Sequence, residues 1–277
     1  MIARAPGVAR PVRRSPKLHT TQKTTESSDT GSLNVDRCRT LSLATLGRIG
    51  YLQALDLQNA LVSARIQDDI GDVLLLLEHP HVYTLGRGAD ERFVLNPGNI
   101  PVHRVSRGGQ VTYHGPGQLV GYSIMKLEGA ERDVLRYLRQ LEQVLIEALA
   151  MVGIEAERRA QRTGVWVGQE KIASIGVGFR RWVSLHGFAV NVATDLSFFR
   201  GVVPCGIAGC QMTSIAEQGY RTITSEWVGQ IVAERFSAVF GYQSVRTVSE
   251  ALLFKLVKAA ASSAPASDSH ENGTKTS

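Results

Sequence analysis

The pattern of apolar and polar positions along the 277 residues predicts short strands together with a few amphipathic helices. Apolar residues recur at helical spacing in four segments, at 51–67, 132–151, 225–240 and 248–260. Alternating or continuous apolar runs predict strands at 33–46, 73–78, 81–85, 102–106, 119–124 and between 164 and 192, with hairpin turns at Gly168-Gln169 and Arg180-Arg181. Because strands outnumber helices and short turns join most of them, we expect an α+β fold with a mixed, largely antiparallel sheet backed by helices.

The two ends of the chain lack this pattern. Residues 1–32 are rich in Arg, Pro, Ser and Thr, which predicts a disordered basic extension. Residues 261–277 predict a disordered tail, so 33–260 should form a single folded domain. No acidic residue precedes Glu26, which leaves a mitochondrial transit peptide as an alternative, but Pro6, Pro11 and Pro16 interrupt any helix there. We favour a plain extension on a cytoplasmic protein.

Charge and cysteine content exclude several classes of function. The formal net charge is +6, and residues 1–32 hold six basic and two acidic side chains. Since residues 258–277 are neutral overall, only +2 remains between the ends, which argues against a nucleic-acid footprint and is compatible with an acidic protein partner. No apolar run exceeds five residues, too few to span a membrane. Three cysteines imply no disulfide framework and favour a reducing compartment.

The most informative stretch covers residues 107–122 and holds five glycines among sixteen residues. Glycines free the backbone for tight turns and for close approach to a ligand. Between them lie polar side chains that could recognise a ligand: Arg107, Thr112, Tyr113, His114 and Gln118. This combination favours one wall of a binding site over a purely structural loop. The chain has neither a Walker A motif nor a G-x-G-x-x-G motif that follows a strand, so the stretch is no recognisable phosphate loop.

Cys205 is the candidate nucleophile. A free cysteine is most often a small buried hydrophobe, but Pro204 and Gly206 flank this one and favour a solvent-facing bend. Cys210 follows five residues later; with no second Cys/His pair at zinc-finger spacing, we expect no metal and a structural role for Cys210. Cys38 receives the same structural interpretation.

A reactive thiolate requires a nearby cation or helix N-terminus, and Lys171 is the candidate cation. It interrupts an otherwise apolar strand of small residues, as a lysine that points into a cleft would. A solvated lysine on an edge strand is an equally good interpretation of the sequence alone. A Cys–His dyad also stays open, although a structural hydrogen bond is the more common role for each histidine.

Four ordered motifs together resemble one family. They are R-G-G-x-x-T-Y-H-x-x-G-Q-x-x-x-Y at 107–122, K-I-A-S-I-G at 171–176, S-x-H-G-x-A-x-N-V at 184–192 and P-C-G-I at 204–207. The combination is similar to the lipoyl(octanoyl) transferases, the octanoyl-[acyl-carrier-protein]:protein octanoyltransferases of lipoate biosynthesis, in the biotin/lipoate protein ligase superfamily. The resemblance covers residues 41–242 and implies the catalytic-domain fold of that superfamily.

The resemblance also implies roles. Cys205 would take an octanoyl group from the phosphopantetheine thioester of acyl carrier protein, and Lys171 would favour the thiolate and act as general acid and base. A lysine of a lipoyl domain, in a 2-oxoacid dehydrogenase complex or the glycine cleavage H protein, would then receive the acyl group. No cofactor or metal is expected, and the enzyme should be a monomer. The implied substrate-binding residues are Arg107, Gly108, Gly109, Gln110, Val111, Thr112, Tyr113, His114, Ser174, Ile175, Gly176, Gly187, Phe188 and Ala189.

Three other functions stay open at this point. An ATP-dependent lipoate or biotin ligase would share the fold and the lysine but would not use a cysteine nucleophile. A cysteine hydrolase would pass the acyl group to water, and a non-catalytic protein would only bind the acyl chain. The P-C-G-I setting of Cys205 favours the transferase over the ligase, whereas the hydrolase and the binding protein stay open.

Overall fold

A computed structural model describes residues 39–207 and 209–255. Its strands and helices are, in chain order, β1 (Thr40–Arg48), α1 (Tyr51–Ile66), β2 (Val73–Glu78), β3 (Val82–Leu85), β4 (Val102–Arg104), β5 (Val111–His114), β6 (Gln118–Ile124), α2 (Val134–Met151), β7 (Glu157–Arg159), β8 (Arg162–Val167), β9 (Glu170–Arg180), β10 (Val183–Asn191), α3 (Ser225–Phe240) and β11 (Ser244–Thr247). Residues 250–255 are also helical.

Eight strands form one large sheet in the order β11-β1-β2-β6-β10-β9-β8-β7. Strand β1 runs parallel to its neighbours β11 and β2, and all other neighbouring pairs are antiparallel. The predicted α+β fold with a mixed, largely antiparallel sheet is therefore confirmed. A smaller sheet has the order β4-β3-β5 and contains part of the glycine-rich stretch.

Helices cover both faces of the large sheet. Helices α2 and α3 pack on one face, where Leu141 and Phe236 join a core cluster with Leu74 of β2. Helix α1 packs on the other, where Leu61 lies in a cluster with Leu75. Alternate residues of β2 thus enter opposite cores, which explains why this strand is a continuous apolar run rather than an alternating one.

Several element boundaries differ from the sequence predictions. Helix α2 starts at Val134 rather than at 132 because the Asp133 side chain caps it, accepting a hydrogen bond from the Arg136 backbone N–H at 3.0 Å. The second hairpin turn lies at Arg181-Trp182, where both residues have positive φ, one position after the predicted turn. The turn at Gly168-Gln169 was predicted correctly.

Strand β5 was missed, because the glycines around it favoured a loop. Its four residues Val-Thr-Tyr-His nevertheless pair antiparallel with β3, with Thr112 opposite Thr84. β-Branched and aromatic residues suit such a pairing. The predicted disordered ends, the first residues of the strand at 33–46 and the last residues of the helix at 248–260 lie outside the described residues. None of the described helices is long and apolar enough to cross a membrane.

Candidate active site

A cavity of about 260 Å³ lies between the large sheet and the glycine-rich stretch. Its floor is made of small residues on β9 and β10, where Ser174 is in register with Ala189 and Gly176 with Gly187. The glycine-rich stretch forms the opposite wall. The two walls approach closely, because the Gly108 backbone N–H donates to the Val177 carbonyl at 2.8 Å.

The structure brings most of the predicted site residues together. Those that line the cavity are Lys171, Cys205, Arg107, Gly109, Gln110, Val111, Thr112, His114, Ser174, Ile175, Gly176, Gly187, Phe188 and Ala189. Two predicted residues do not line it. Gly108 is held against β9, and Tyr113 packs in a separate cluster with Tyr83, its hydroxyl 2.7 Å from Nδ1 of His81.

Lys171 and Cys205 meet at one end of this cavity. Lys171 Nζ lies 2.9 Å from Cys205 Sγ and also donates to the Thr163 carbonyl at 2.9 Å. Only 2% of Lys171 is exposed, and β9 is an interior strand between β8 and β10, so the alternative of a solvated edge-strand lysine is wrong. The two residues of the predicted pair are therefore in direct hydrogen-bond contact.

Gly164 makes room for the lysine side chain. A Cβ at this position would lie 2.5 Å from Lys171 Cε, and its φ of +126° is one that other residues rarely adopt. The Gly164 backbone N–H donates to Oε1 of Glu142 at 3.1 Å. Glu142 is fully buried on α2 and is also paired with Arg139 and Arg158. Helix α2 thereby fixes the start of β8, including the Thr163 carbonyl that holds Lys171.

Cys205 sits at the centre of the short turn Pro204–Gly206 and has a φ of +57°. A non-glycine residue in this region costs free energy, and such residues are concentrated at functional sites. Backbone hydrogen bonds close the turn, from Gly206 N–H to the Val203 carbonyl and from Ile207 N–H to the Pro204 carbonyl, both at 3.0 Å. The half-buried sulfur therefore sits on the bend that the flanking residues predicted.

The other cysteines do not join this pair. Cys210 is half-buried and does not line the cavity; burial, with a smaller contribution from Cys205, raises the pKa of its thiol. Cys38 lies outside the described residues. The hydrogen-bond partner of Cys205 among residues 39–207 and 209–255 is Lys171 and no histidine, so the structure does not contain the alternative Cys–His dyad.

Arg107 lines the cavity, but its guanidinium is engaged by the protein. One terminal nitrogen donates to the carbonyls of Gly108 and Gln110 at 3.0 and 2.8 Å. The other donates to the carbonyl and the hydroxyl of Thr84 at 2.7 and 2.9 Å. No carboxylate within the described part of the chain pairs with it, and burial lowers its pKa. Arg107 therefore shapes the glycine-rich stretch around its own side chain.

His114 presents a neutral imidazole to the cavity. Gln118 donates through Nε2 to Asn191 Oδ1 at 2.9 Å and to the Tyr113 carbonyl at 3.2 Å, which turns its Oε1 toward His114 Nδ1 at 2.8 Å. The Nδ1 atom thus carries the hydrogen, and Nε2 is left as an acceptor. Burial is the main cause that lowers the pKa of His114, to about 3, so the ring is uncharged near neutral pH.

Sequence reasoning missed two groups of residues at the site. Those that line the cavity are Tyr51, Tyr122, Gln161, Arg162, Thr163, His186 and Ile207. Those that support Lys171 are Glu142 and Gly164. Tyr122, His186 and Ile207 lie inside the motifs and could have been included. Glu142 could have been noticed as an acidic residue beside the apolar stripe of α2. Tyr51 gives no signal, since a tyrosine at the start of a helix is ordinary. The described residues contain no group of three or more His, Cys, Asp or Glu side chains able to hold a metal ion.

The chain is similar in sequence to one known protein family and to named proteins. The family model for the lipoyl protein ligase A/B catalytic domain matches residues 50–237. An octanoyltransferase of Gloeobacter violaceus is 49% identical over 209 residues, which cover 75% of this chain and 93% of that protein. An octanoyltransferase of Solibacter usitatus is also 49% identical, over 211 residues that cover 74% and 95%.

Solved structures resemble the chain in fold. The putative lipoate protein ligase Ta0514 from T. acidophilum aligns with a TM-score of 0.59 at 16% identity, covering 80% of this chain and 92% of its own. A lipoate-protein ligase A bound with ATP gives a TM-score of 0.60 at 15% identity, with 80% and 93% covered. These similarities show a shared catalytic-domain architecture.

Proposed function

We propose that this chain, which belongs to the lipoyl protein ligase A/B catalytic-domain family and is an octanoyl-transferring enzyme of protein lipoylation, works through an acyl thioester on Cys205. The donor is octanoyl-acyl carrier protein. The acceptor is a lysine of a lipoyl domain, in 2-oxoacid dehydrogenase complexes or in the glycine cleavage H protein. The observation that carries the proposal is the 2.9 Å contact between Lys171 Nζ and Cys205 Sγ beside a small cavity.

In the first half-reaction the Cys205 thiolate attacks the carbonyl carbon of the donor thioester. The bond to the pantetheine sulfur breaks, and that sulfur leaves as a thiolate that takes a proton from Lys171. Exchange of one thioester for another is nearly isoenergetic, so this step needs neither ATP nor a metal. The octanoyl chain occupies the space over the small residues of β9 and β10.

In the second half-reaction the acceptor amine attacks the acyl-enzyme. An amide forms, the bond to Cys205 Sγ breaks, and the now neutral Lys171 amine takes the proton that the acceptor nitrogen loses. The thiolate and the ammonium are restored together. Conversion of a thioester to an amide is downhill, which drives the transfer to completion.

The lysine–cysteine pair favours this reaction over its alternatives. A ligase that activates its substrate with ATP does not need a strained cysteine in contact with an ammonium. Lys171 is already oriented by the Thr163 carbonyl, as expected for a group that moves protons at the sulfur. A protein that only binds acyl chains would need neither residue. A monomeric state and a cytoplasmic location belong to the same proposal.

Intact mass spectrometry tests the acyl-enzyme. Incubation with octanoyl-acyl carrier protein, without ATP, should add about 126 Da to the wild-type chain through replacement of the thiol hydrogen. The adduct should also form on a Cys210→Ser variant and be absent from a Cys205→Ala variant. An adduct that persists in Cys205→Ala would refute the assignment of the nucleophile.

Addition of an apo lipoyl domain separates the remaining functions. We expect the adduct to disappear while the lipoyl domain gains the same mass in equal amount. Release of free octanoate with no gain on the lipoyl domain would identify a hydrolase. Transfer that occurs only when ATP and free octanoate are supplied would identify a ligase.

A further inference from the structure

The register of the sheet defines the two ends of the acyl cavity. Lys171 and Gly176 lie five residues apart on β9, about 17 Å at the usual rise per strand residue. Gly176 is in register with Gly187 on β10, and Gly187 is in register with Tyr122 on β6. These three residues form one row across the sheet. The reactive pair and this row therefore lie at opposite ends of the floor.

Small side chains line the floor up to this row, which ends at Tyr122; over Gly176 lies the Arg107 side chain, whose Cδ would be 3.0 Å from a Cβ added there. Ser174 and Ala189 form the row nearer to Lys171, and the next row starts with Gly176 and Gly187. All four residues line the cavity, and Tyr122 does as well. Its ring is the first large side chain along the glycine row. Tyr122 thus lies at the end of the cavity away from Cys205.

Hydrogen bonds fix the Tyr122 ring in place. Its hydroxyl lies 2.7 Å from Nε2 of His79, whose Nδ1 lies 2.7 Å from the Ile49 carbonyl. Because a carbonyl only accepts, Nδ1 carries the hydrogen of His79, and the Tyr122 hydroxyl must donate to Nε2. Tyr122 is 4% exposed, so the ring cannot move aside without breaking a buried hydrogen bond.

His186 lies at the same end of the cavity. It faces the cavity beside Tyr122, with 6.3 Å between the ring centroids, and no described residue bonds to its buried Nδ1 atom. Its φ of +61° within β10 is held by a hydrogen bond from its backbone N–H to the buried Gln58 side chain at 2.8 Å. The ring is therefore a second fixed side chain beside Tyr122.

We propose that Tyr122 sets the upper limit of acyl-chain length for the transfer; this inference rests on the proposed function. Chains shorter than the cavity leave apolar surface unburied and should react less well, by roughly fourfold for each missing methylene. Chains longer than the cavity must displace a pinned ring from a packed interior. The preferred chain is the one whose terminal carbon reaches the ring.

A competition experiment tests the limit. An equal mixture of hexanoyl, octanoyl, decanoyl and dodecanoyl carrier-protein thioesters is offered to the full chain, and the acyl masses on Cys205 are compared. In Tyr122→Leu we expect the ratio of decanoyl plus dodecanoyl to octanoyl to rise by at least about tenfold, the discrimination a pocket gives for one or more methylenes. Tyr122→Phe keeps the ring but removes its bond to His79, so its length profile should shift in the same direction by less than that of Tyr122→Leu.

Tyr137→Leu is the matched control. Tyr137 is equally buried, but it lies on α2 on the opposite face of the sheet and does not line the cavity. It should lose stability without a change in length profile. If Tyr122→Leu fails to fold, Tyr122→Met, which changes the volume less, is used for the same comparison.

The outcomes distinguish a failure of this inference from a failure of the proposed function on which it rests. A Tyr122→Leu or Tyr122→Met enzyme that is acylated on Cys205 with the wild-type length profile would overturn the assignment of Tyr122. If Tyr137→Leu shows the same shift in length profile, the shift comes from general loosening of the fold. This result would also overturn the assignment of Tyr122. If the wild-type chain forms no acyl-enzyme with any thioester, the proposed function itself fails.

Discussion

Lys171 and Arg107 are two buried cations that line the same cavity, and they differ in what surrounds them. The Arg107 guanidinium donates to four neutral oxygen atoms of Gly108, Gln110 and Thr84. The Lys171 ammonium has one carbonyl and the sulfur of Cys205. One cation is thus held by the backbone that it organises, whereas the other contacts a cysteine sulfur.

This difference teaches that burial of a charge near a site does not by itself identify a catalytic group. Arg107 keeps its charge at every working pH because a guanidinium does not lose a proton in proteins, so it cannot shuttle one. A lysine amine can gain and lose a proton during the reaction. We therefore assign proton transfer to Lys171 and the shape of the acyl wall to Arg107. The predictions below test this division of roles.

Replacing Lys171 should have the largest effect on chemistry. Lys171→Met keeps most of the volume but removes both the ammonium and the proton donor, and we expect octanoyl transfer to fall by about 10²- to 10⁴-fold. Alkylation of Cys205 by iodoacetamide at pH 7 should slow as well, because less thiolate is present. Urea unfolding is measured in parallel. Equal alkylation rates in the two proteins would show that Lys171 does not act on the sulfur.

Replacing Arg107 should instead act on the fold. Arg107→Met leaves several buried carbonyl groups without donors, and we expect a loss of about 4 kcal/mol in the free energy of unfolding. In the fraction that stays folded, alkylation of Cys205 at pH 7 should slow less than in Lys171→Met, because the Arg107 charge acts on Cys205 without bonding to its sulfur. A variant of wild-type stability with slow alkylation would reverse the roles assigned to the two cations.

The sequence predicted some parts of the molecule better than others. The helices and β2 were predicted because their apolar spacing has a clear physical cause. Within the glycine-rich stretch the cluster of glycines obscured strand β5, so its period of two was not applied. Recognising that strand would have directed Tyr113 away from the face that carries Thr112 and His114. The contact between Glu142 and Gly164 joins a helix to a strand 22 residues away, and no spacing rule reveals it.

The histidines near Arg107 give a prediction for pH. Burial is the leading cause that lowers the pKa of His79 and of His186 to about 4, and for His186 the charge of Arg107 adds to it. The unfolded chain, with a pKa near 6.5, binds these protons more readily, so folding stability is fully present above pH 6.5 and is lost as the pH falls toward 4. Each group contributes about 3 kcal/mol at most over that window.

Urea unfolding at pH 7.0, 5.5 and 4.5 measures this loss. In His79→Gln the slope of stability against pH should become shallower by about one bound proton between pH 6.5 and 4. A surface histidine would not change the slope, since its pKa is the same in both states. If the wild-type and variant slopes coincide, His79 binds a proton as readily in the folded protein as in the unfolded chain, and burial does not lower its pKa.

The smallest effect expected concerns the support of Lys171 rather than the lysine itself. In Gly164→Ala the new Cβ would press on Lys171 Cε, so we expect the ammonium to move from the sulfur and transfer to fall by about tenfold. Gly168→Ala is the control, because Gly168 lies in the turn after the same strand, also has positive φ, and has no atom within 4 Å of an added Cβ. Both variants should lose some stability from backbone strain, but only Gly164→Ala should slow alkylation of Cys205 at pH 7. Equal slowing in both would attribute the effect to strain in the hairpin, and the position of Lys171 would then not depend on the space that Gly164 leaves.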